Sequence, residues 1–425
     1  MNVERPQSVT HMPTNLLGLV ALVAVSWLLW RQPGISRDVA VPLLMVATAL
    51  PILVADVLVF KVYRRASTGI DWSVMRTIDL PRLGTKLVGF AAALTLILVA
   101  YNFTPEYAGS FYDAYYRFLW RLGPPVLIAM PLYFAWMDRV LVEPRDKYWH
   151  LGALVTGQAD ADAAKALDLV RGWVIKGFFI PLMYVYAFNN VGELRNLAAG
   201  ELGTFMDWYR LLFSFGMLVD VIFTTMGYLI SLRIIDTHLR SSEPTMTGWV
   251  VAIVCYQPFF DLFYQQYFSY NNGYYWNDWL ASVPALLVPW GVAILFANVV
   301  FFGSTITFGC RFSNLTNRGV VTDGFYRFTK HPAYWSKLFG FYLAFVPFVP
   351  HGGPLRALRD SVSLGLLGGV YFLRARTEEA HLSTDPDYVR YAEWINEHGV
   401  FAFLGRWIPA LRYRSPAGDE DETAA

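Results

Sequence analysis

Apolar and polar positions alternate in long blocks along this 425-residue chain. Ten apolar segments stand out, at 16–30, 39–60, 87–103, 125–137, 173–188, 211–232, 249–264, 279–302, 334–349 and 361–373. A helix needs about 20 apolar residues to cross a hydrocarbon core, so the shorter segments are expected to extend into their aromatic flanks. Pro51, Pro131, Pro181 and Pro258 fall inside segments and predict kinks, because proline removes a backbone donor and crowds the preceding turn. The pattern predicts an all-α, polytopic integral membrane protein with about ten transmembrane helices. The first segment lacks a persuasive cleavage site behind it and reads as a retained helix. No strand leads into a Gly-x-Gly-x-x-Gly turn, so no Rossmann domain is expected.

Outside the segments, 157–167 reads as a short surface helix. Asp385-Pro386 reads as an N-cap followed by proline in the first turn. The helix it opens would carry Tyr388, Tyr391 and Trp394 on one face. The stretch 415–425 is acidic and rich in small residues, which predicts disorder. Three regions follow: 1–278 as a multi-helix membrane region without assigned role, 279–414 as a second membrane unit with a tail helix, and 415–425 as a tail.

Composition agrees with the pattern. The chain is 55% hydrophobic and only 16% charged, with mean hydropathy +0.36. A net charge of +1 without a basic stripe excludes a nucleic-acid partner. Cys255 and Cys310 are too few for a disulfide framework or a thiolate metal site, and no metal is expected. Lys and Arg crowd the second, fourth and eighth connections and the end of the chain, at 61–86, 139–171, 311–337 and after 373, while the sixth, with Arg233 and Arg240, discriminates little. That bias predicts a multi-pass protein of a bacterial inner (plasma) membrane with both termini cytoplasmic. It puts two polar clusters, 319–337 and 374–379, on the cytoplasmic side.

In the second cluster, Arg374 and Glu378 are four apart and are expected to pair on one helix face, while Glu379 points about 100° away. Two adjacent carboxylates suit a ligand with hydroxyl donors and a positive centre; a solvated helix end with weak salt bridges is the plainer reading. In the first cluster, His331-Pro332 breaks the chain and Pro332 can open the next helix. That helix N-terminus favours an anionic group such as a carboxylate. Tyr326, Tyr334 and Trp335 suit a flat base or a cation, and equally an interfacial aromatic belt.

The two clusters together carry a resemblance. Gly-Val-Val-Thr-Asp-Gly-Phe-Tyr-Arg-x-x-Lys-His-Pro-x-Tyr, a hydrophobic hairpin, Arg-x-x-x-Glu-Glu-x-x-Leu and Tyr388-x-x-Tyr391 resemble the isoprenylcysteine carboxyl methyltransferase family. Related membrane phospholipid N-methyltransferases share much of this pattern, and the resemblance covers about 279–409. It implies S-adenosylmethionine held at the cytoplasmic face without a Rossmann domain, and methyl transfer to a lipidic or amphiphilic acceptor in the bilayer. It implies cofactor contacts from Tyr326, Lys330, His331, Pro332, Tyr334, Glu378 and Glu379, with backbone groups around Val320 and Val321 on the adenine. Arg374 and Arg376 are candidates for orienting an anionic substrate, beside Glu379 in the catalytic set, or else for pairing with the glutamates. The chain has Lys330 where the family usually has Arg, Phe325 where it has Pro, and Asp385-Pro386-Asp387 where it has Phe-Gly, which leaves the acceptor open.

Two other readings remain. A sterol-reductase-like enzyme would bind NADPH through a similar His-Pro-x-Tyr stretch. A transporter would use Asp56, Asp220 and Asp261, which lie in apolar segments where an unpaired charge costs at least ~2.5–3.5 kcal/mol. Interhelical hydrogen bonds are the plainer account of these aspartates.

Overall fold

The computed structural model of the protein describes residues 4–414. It is helical throughout, and its only sheet among the described residues is a pair of two-residue strands. In chain order the first helices are α1 (Met12–Trp30), α2 (Arg37–Leu58), α3 (Leu80–Phe103), α4 (Asp113–Val140), α5 (Lys147–Val155), α6 (Ala163–Ala199) and α7 (Phe205–Leu229). Strand β1 (Ser241–Ser242), α8 (Met246–Ile253), α9 (Trp276–Trp279) and α10 (Pro284–Phe308) follow. Strand β2 (Thr316–Asn317) then precedes α11 (Pro332–Phe345), α12 (Pro354–Leu382), α13 (Pro386–His398) and α14 (Ala402–Trp407). The acidic stretch 415–425 lies outside the described residues.

Among the described residues, six helical stretches are long and apolar enough to cross a membrane: Met12–Trp30, Arg37–Leu58, Leu80–Phe103, Ser110–Val140, Phe205–Leu229 and Pro284–Arg311. Three of the remaining expected segments lie in α6, α11 and α12, which are more polar or shorter. The segment at 249–264 is not one continuous helix. Here α8 ends at Ile253, and after Pro258, which has no N–H to donate, the chain resumes as a π turn at Asp261–Gln265. The helices run on through Pro51, Pro131 and Pro181.

The expected surface helix at 157–167 is also revised. Gly157 sits at φ +71° just after α5, and the Asp162 carboxylate accepts from the N–H groups of Ala164 and Lys165. A left-handed glycine and an N-cap therefore split the stretch, and its second half becomes the start of the 37-residue α6. Asp385 caps α13 as expected, accepting from Asp387 N at 3.1 Å.

Lipid tails are as apolar as leucine, so close packing and internal hydrogen bonds must hold such a bundle together. The largest core joins α1, α2, α6 and α7 through Leu22, Leu44, Ile52, Tyr184 and Ile222. Between α3 and α5, Gly89 and Gly152 face each other, and a Cβ on either would strike the carbonyl of Tyr148 or Thr85. At the polar end, buried Arg318 donates to the carbonyls of Gly227, Ile230 and Phe312 at 2.5, 2.6 and 3.2 Å, and to Thr237. It satisfies the carbonyls that α7 leaves open at its C-terminus and fixes the 309–318 stretch against them. Next to it, Arg311, Arg65 and Arg240 lie 3.4, 3.5 and 3.8 Å from the buried Asp236 carboxylate. Asp56 is buried in α2.

Candidate functional site

The loop from α10 to α11 carries the first polar cluster, and the last turns of α12 carry the second. Pro332 opens α11, with His331 held outside the helix at φ −130°. That placement lets Lys330 and His331 reach across to α12. Lys330 Nζ lies 2.7 Å and His331 Nε2 2.9 Å from Glu379 Oε1, while Arg376 donates to Oε2 at 3.1 Å. Residues 48 positions apart thus close on one carboxylate that is almost wholly buried.

Glu379 lies beyond the apolar stretch 361–373. Burial alone would push its pKa up, but the His331 and Lys330 contacts overcome this and hold it at about 2. Burial lowers the pKa of Lys330, and its pairing with Glu379 only partly offsets that. Both oxygens of Glu379 are committed, so its work is to clamp Lys330 and His331.

Glu378 is arranged differently. It is half-buried, its Oε2 accepts from Tyr334 Oη at 2.5 Å, and its Oε1 receives no hydrogen bond from the described residues. His331 stacks on Tyr334 with ring centroids 5.4 Å apart. Beside them, Tyr388 of α13 has a buried hydroxyl with no hydrogen-bond partner among the described residues. Burial, then the charges of Glu379 and Glu378, push its phenol pKa up, so it can act only as a neutral hydrogen-bonding group. Trp335 Nε1 is also buried without a hydrogen-bond partner among the described residues, with its ring against Phe401.

One expected contact is corrected. Arg374 does not pair with Glu378. It donates to Asn314 Oδ1 at 2.6 Å and lies over the rings of Tyr334 and Tyr256, at 5.1 and 5.6 Å from their centroids. A buried guanidinium between two aromatic faces and an amide acceptor has its charge spread over good partners already. The i,i+3 pair on α12 is Arg376 with Glu379 instead.

Val320 and Val321 are buried, and an N-terminal arm lies along them. Val9 N donates to Val320 O at 3.1 Å, Thr322 N to Ser8 Oγ at 3.2 Å, and Thr322 Oγ1 to Pro6 O at 2.9 Å. Part of the backbone edge expected to face an adenine is therefore taken by the chain itself. Tyr326 packs beside Val320, Tyr388 and Tyr391, and its carbonyl accepts from Tyr391 Oη at 2.6 Å.

The residues that loop spacing did not reveal come from outside the quoted motifs, and all but Asn314 from outside the span of the resemblance. Asn314, Tyr256 and the arm from Pro6 to Met12 carry no motif and reach the site only through tertiary packing. Tyr388 and Tyr391 were legible from their spacing as one buried face, but the open valence of Tyr388 was not. No family model, curated protein or solved structure matches this chain.

Proposed function

We propose that the chain is an integral membrane S-adenosylmethionine-dependent methyltransferase acting on a lipidic or amphiphilic acceptor at the cytoplasmic membrane face. The observation that carries this reading is the meeting of the two polar clusters. Glu379 locks Lys330 and His331 in place, and beside them Glu378 Oε1 and Tyr388 Oη stand open. A carboxylate oxygen with no partner suits a ribose hydroxyl, whose hydrogen bond to a charged acceptor is stronger than to a neutral one. The first N–H groups of α11, behind Pro332, suit a carboxylate. Lysine and arginine in the connections support the cytoplasmic placement, with α6, the α8 region, α11 and α12 as crossings beyond the six apolar ones, about ten in all.

The cofactor supplies a methyl group on a positively charged sulfur, a leaving group that needs no acid. The protein's own residues therefore have to position and desolvate. Alignment of two reactants alone supplies ~7–11 kcal/mol in favourable cases. Glu378 orients one end of the ligand, the α11 N-terminus the other, and the clamp at Glu379 keeps the intervening His331-Pro332 turn rigid. A carboxylate acceptor needs no base, whereas an amine or hydroxyl does.

Purified protein titrated with S-adenosylhomocysteine and, separately, with NADPH tests the reading. Tight binding of the former is expected, and Glu378→Gln should weaken it about tenfold or more, the loss of one charged hydrogen bond. Membranes given methyl-labelled S-adenosylmethionine should then yield a labelled lipid extract that disappears in His331→Ala. Binding of NADPH alone, or no labelled product in any fraction, overturns the proposal.

A further inference from the structure

We infer that Ser241, His381 and Glu243 form a serine esterase centre, a second activity that does not rest on methyl transfer. Ser241 Oγ lies 2.9 Å from His381 Nε2, and His381 Nδ1 lies 3.7 Å from Glu243 Oε2. The other oxygen of Glu243 is fixed by Thr245, through its N–H at 2.9 Å and its hydroxyl at 2.5 Å, which leaves Oε2 to the imidazole. The Glu243 carboxylate, 3.7 Å from Nδ1 and beyond hydrogen-bond reach, favours by its charge the tautomer protonated there, in which Ser241 donates to Nε2. That is the proton arrangement a base-activated serine needs. The His–Glu contact is long, as such contacts often are before substrate closes the site.

Burial runs in the order the chemistry requires. Glu243 is 3% exposed and His381 8%, while Ser241 is only half-buried and open to a substrate. Burial lowers the His381 pKa, opposed by Glu243, so the imidazole is neutral and free to accept a proton. The nucleophile is also held rigidly. Ser241 pairs with Asn317 across the two-strand ladder, Ser242 N and Oγ donate to Asp168 Oδ1 at 2.7 and 2.6 Å, and Lys147 donates to Arg240 O at 2.7 Å. A structural hydrogen bond between a helix end and a ladder explains the Ser–His contact, but not a carboxylate fixed on the far side of the ring. The helix that follows, α8, exposes Met246 and Val250, at 79% and 50%, which fits an amphiphile arriving from the bilayer.

The substrate class is therefore a carboxylic ester of a membrane amphiphile. Ser241 Oγ bonds to the carbonyl carbon while its proton passes to His381 Nε2. The ester C–O bond then breaks and the departing alkoxide takes that proton. Water, deprotonated by the same imidazole, releases the acid and restores the serine.

A biotinylated fluorophosphonate on the full-length protein in nanodiscs tests this directly, read by peptide mapping. The expected adduct is on Ser241, absent in Ser241→Ala and formed at least a hundredfold more slowly in His381→Gln, with p-nitrophenyl butyrate hydrolysis falling in parallel. Glu243→Gln should slow labelling while keeping the Thr245 contacts. Wild-type protein that leaves Ser241 unlabelled overturns the inference without any variant. So does labelling at an unchanged rate in a folded His381→Gln protein.

Discussion

Two buried carboxylates, one in each half of the chain, are neutralised in the same way and yet sit in different company. Asp138 of α4 takes Arg82 Nε and Nη2 at 2.8 and 2.6 Å and Lys86 Nζ at 2.9 Å. Glu379 of α12 takes Lys330, His331 and Arg376. Around Asp138 the network closes, since Lys86 turns its remaining reach to Asp146 at 3.7 Å. Around Glu379 it stays open, because Tyr388 Oη is buried without a hydrogen-bond partner among the described residues and the neighbouring Glu378 accepts from Tyr334 through one oxygen alone. Burying a charge is a structural matter in both places. Open valences next to a buried charge distinguish a site from a staple, since an unsatisfied buried polar group costs about 1–3 kcal/mol unless a ligand or water fills it.

The largest effect that probes this contrast is at the closed end. Asp138→Ala leaves Lys86, whose side chain is 1% exposed, with only Asp146 at 3.7 Å, and Arg82 with only Asp79. Removing one partner from such a network costs about 3–5 kcal/mol. Thermal unfolding in detergent should show that loss, and S-adenosylhomocysteine affinity per folded molecule should be unchanged. A selective loss of affinity with stability intact would erase the distinction drawn between the two ends.

The Glu379 clamp makes a smaller, pH-dependent prediction. Its folded pKa is held at about 2, below its ordinary value of 4.5. The sign follows: the clamp's stabilisation is complete above about 4.5 and is lost as pH falls toward about 2. Each pH unit of that shift corresponds to about 1.4 kcal/mol, so the full effect is no more than about 3.5 kcal/mol. Unfolding midpoints measured across this window should fall more steeply for the wild type than for Glu379→Gln. Parallel curves would mean that the three cations do not hold this carboxylate.

Most of the helical scaffold and the pairing of the two clusters were legible in the chain, because apolar period, proline position and N-cap chemistry act locally. The Asp385-Pro386 start of α13 follows from such rules, and loop charges put the two clusters on one side, but the closing of His331 on Glu379 is a tertiary contact across 48 residues. The partner of Arg374 was not legible. Its choice between Glu378, four residues away, and Asn314, sixty away, depends on how tightly the 309–318 loop is drawn against α7 by Arg318. The closure of Val320 by the arm at Pro6–Val9 was hidden for the same reason, since nothing local marks an arm that crosses 300 residues of sequence. The break in the 249–264 segment had a local sign in Pro258, but an apolar run reads alike whether it forms one helix or two short pieces.

Asp220 gives the finest test of the comparison, because it is an aspartate in an apolar segment whose carboxylate has a single hydrogen-bond partner among the described residues. Thr305 Oγ1 of α10 donates to its Oδ1 at 2.5 Å, which ties α7 to α10. If partners decide whether an acid is a staple or a site, Asp220 belongs with the staples, though with one bond where Asp138 has several. Asparagine keeps the accepting oxygen, and single interhelical hydrogen bonds of this kind average ~0.6 kcal/mol. Asp220→Asn should therefore move the unfolding midpoint slightly and leave cofactor binding and lipid methylation unchanged. A transporter requires the opposite, since its acid must change charge during the cycle and the asparagine cannot. Abolished activity in a folded Asp220→Asn protein, with Glu378→Gln active, would move the working site from the open valences at α12 to the α7–α10 contact.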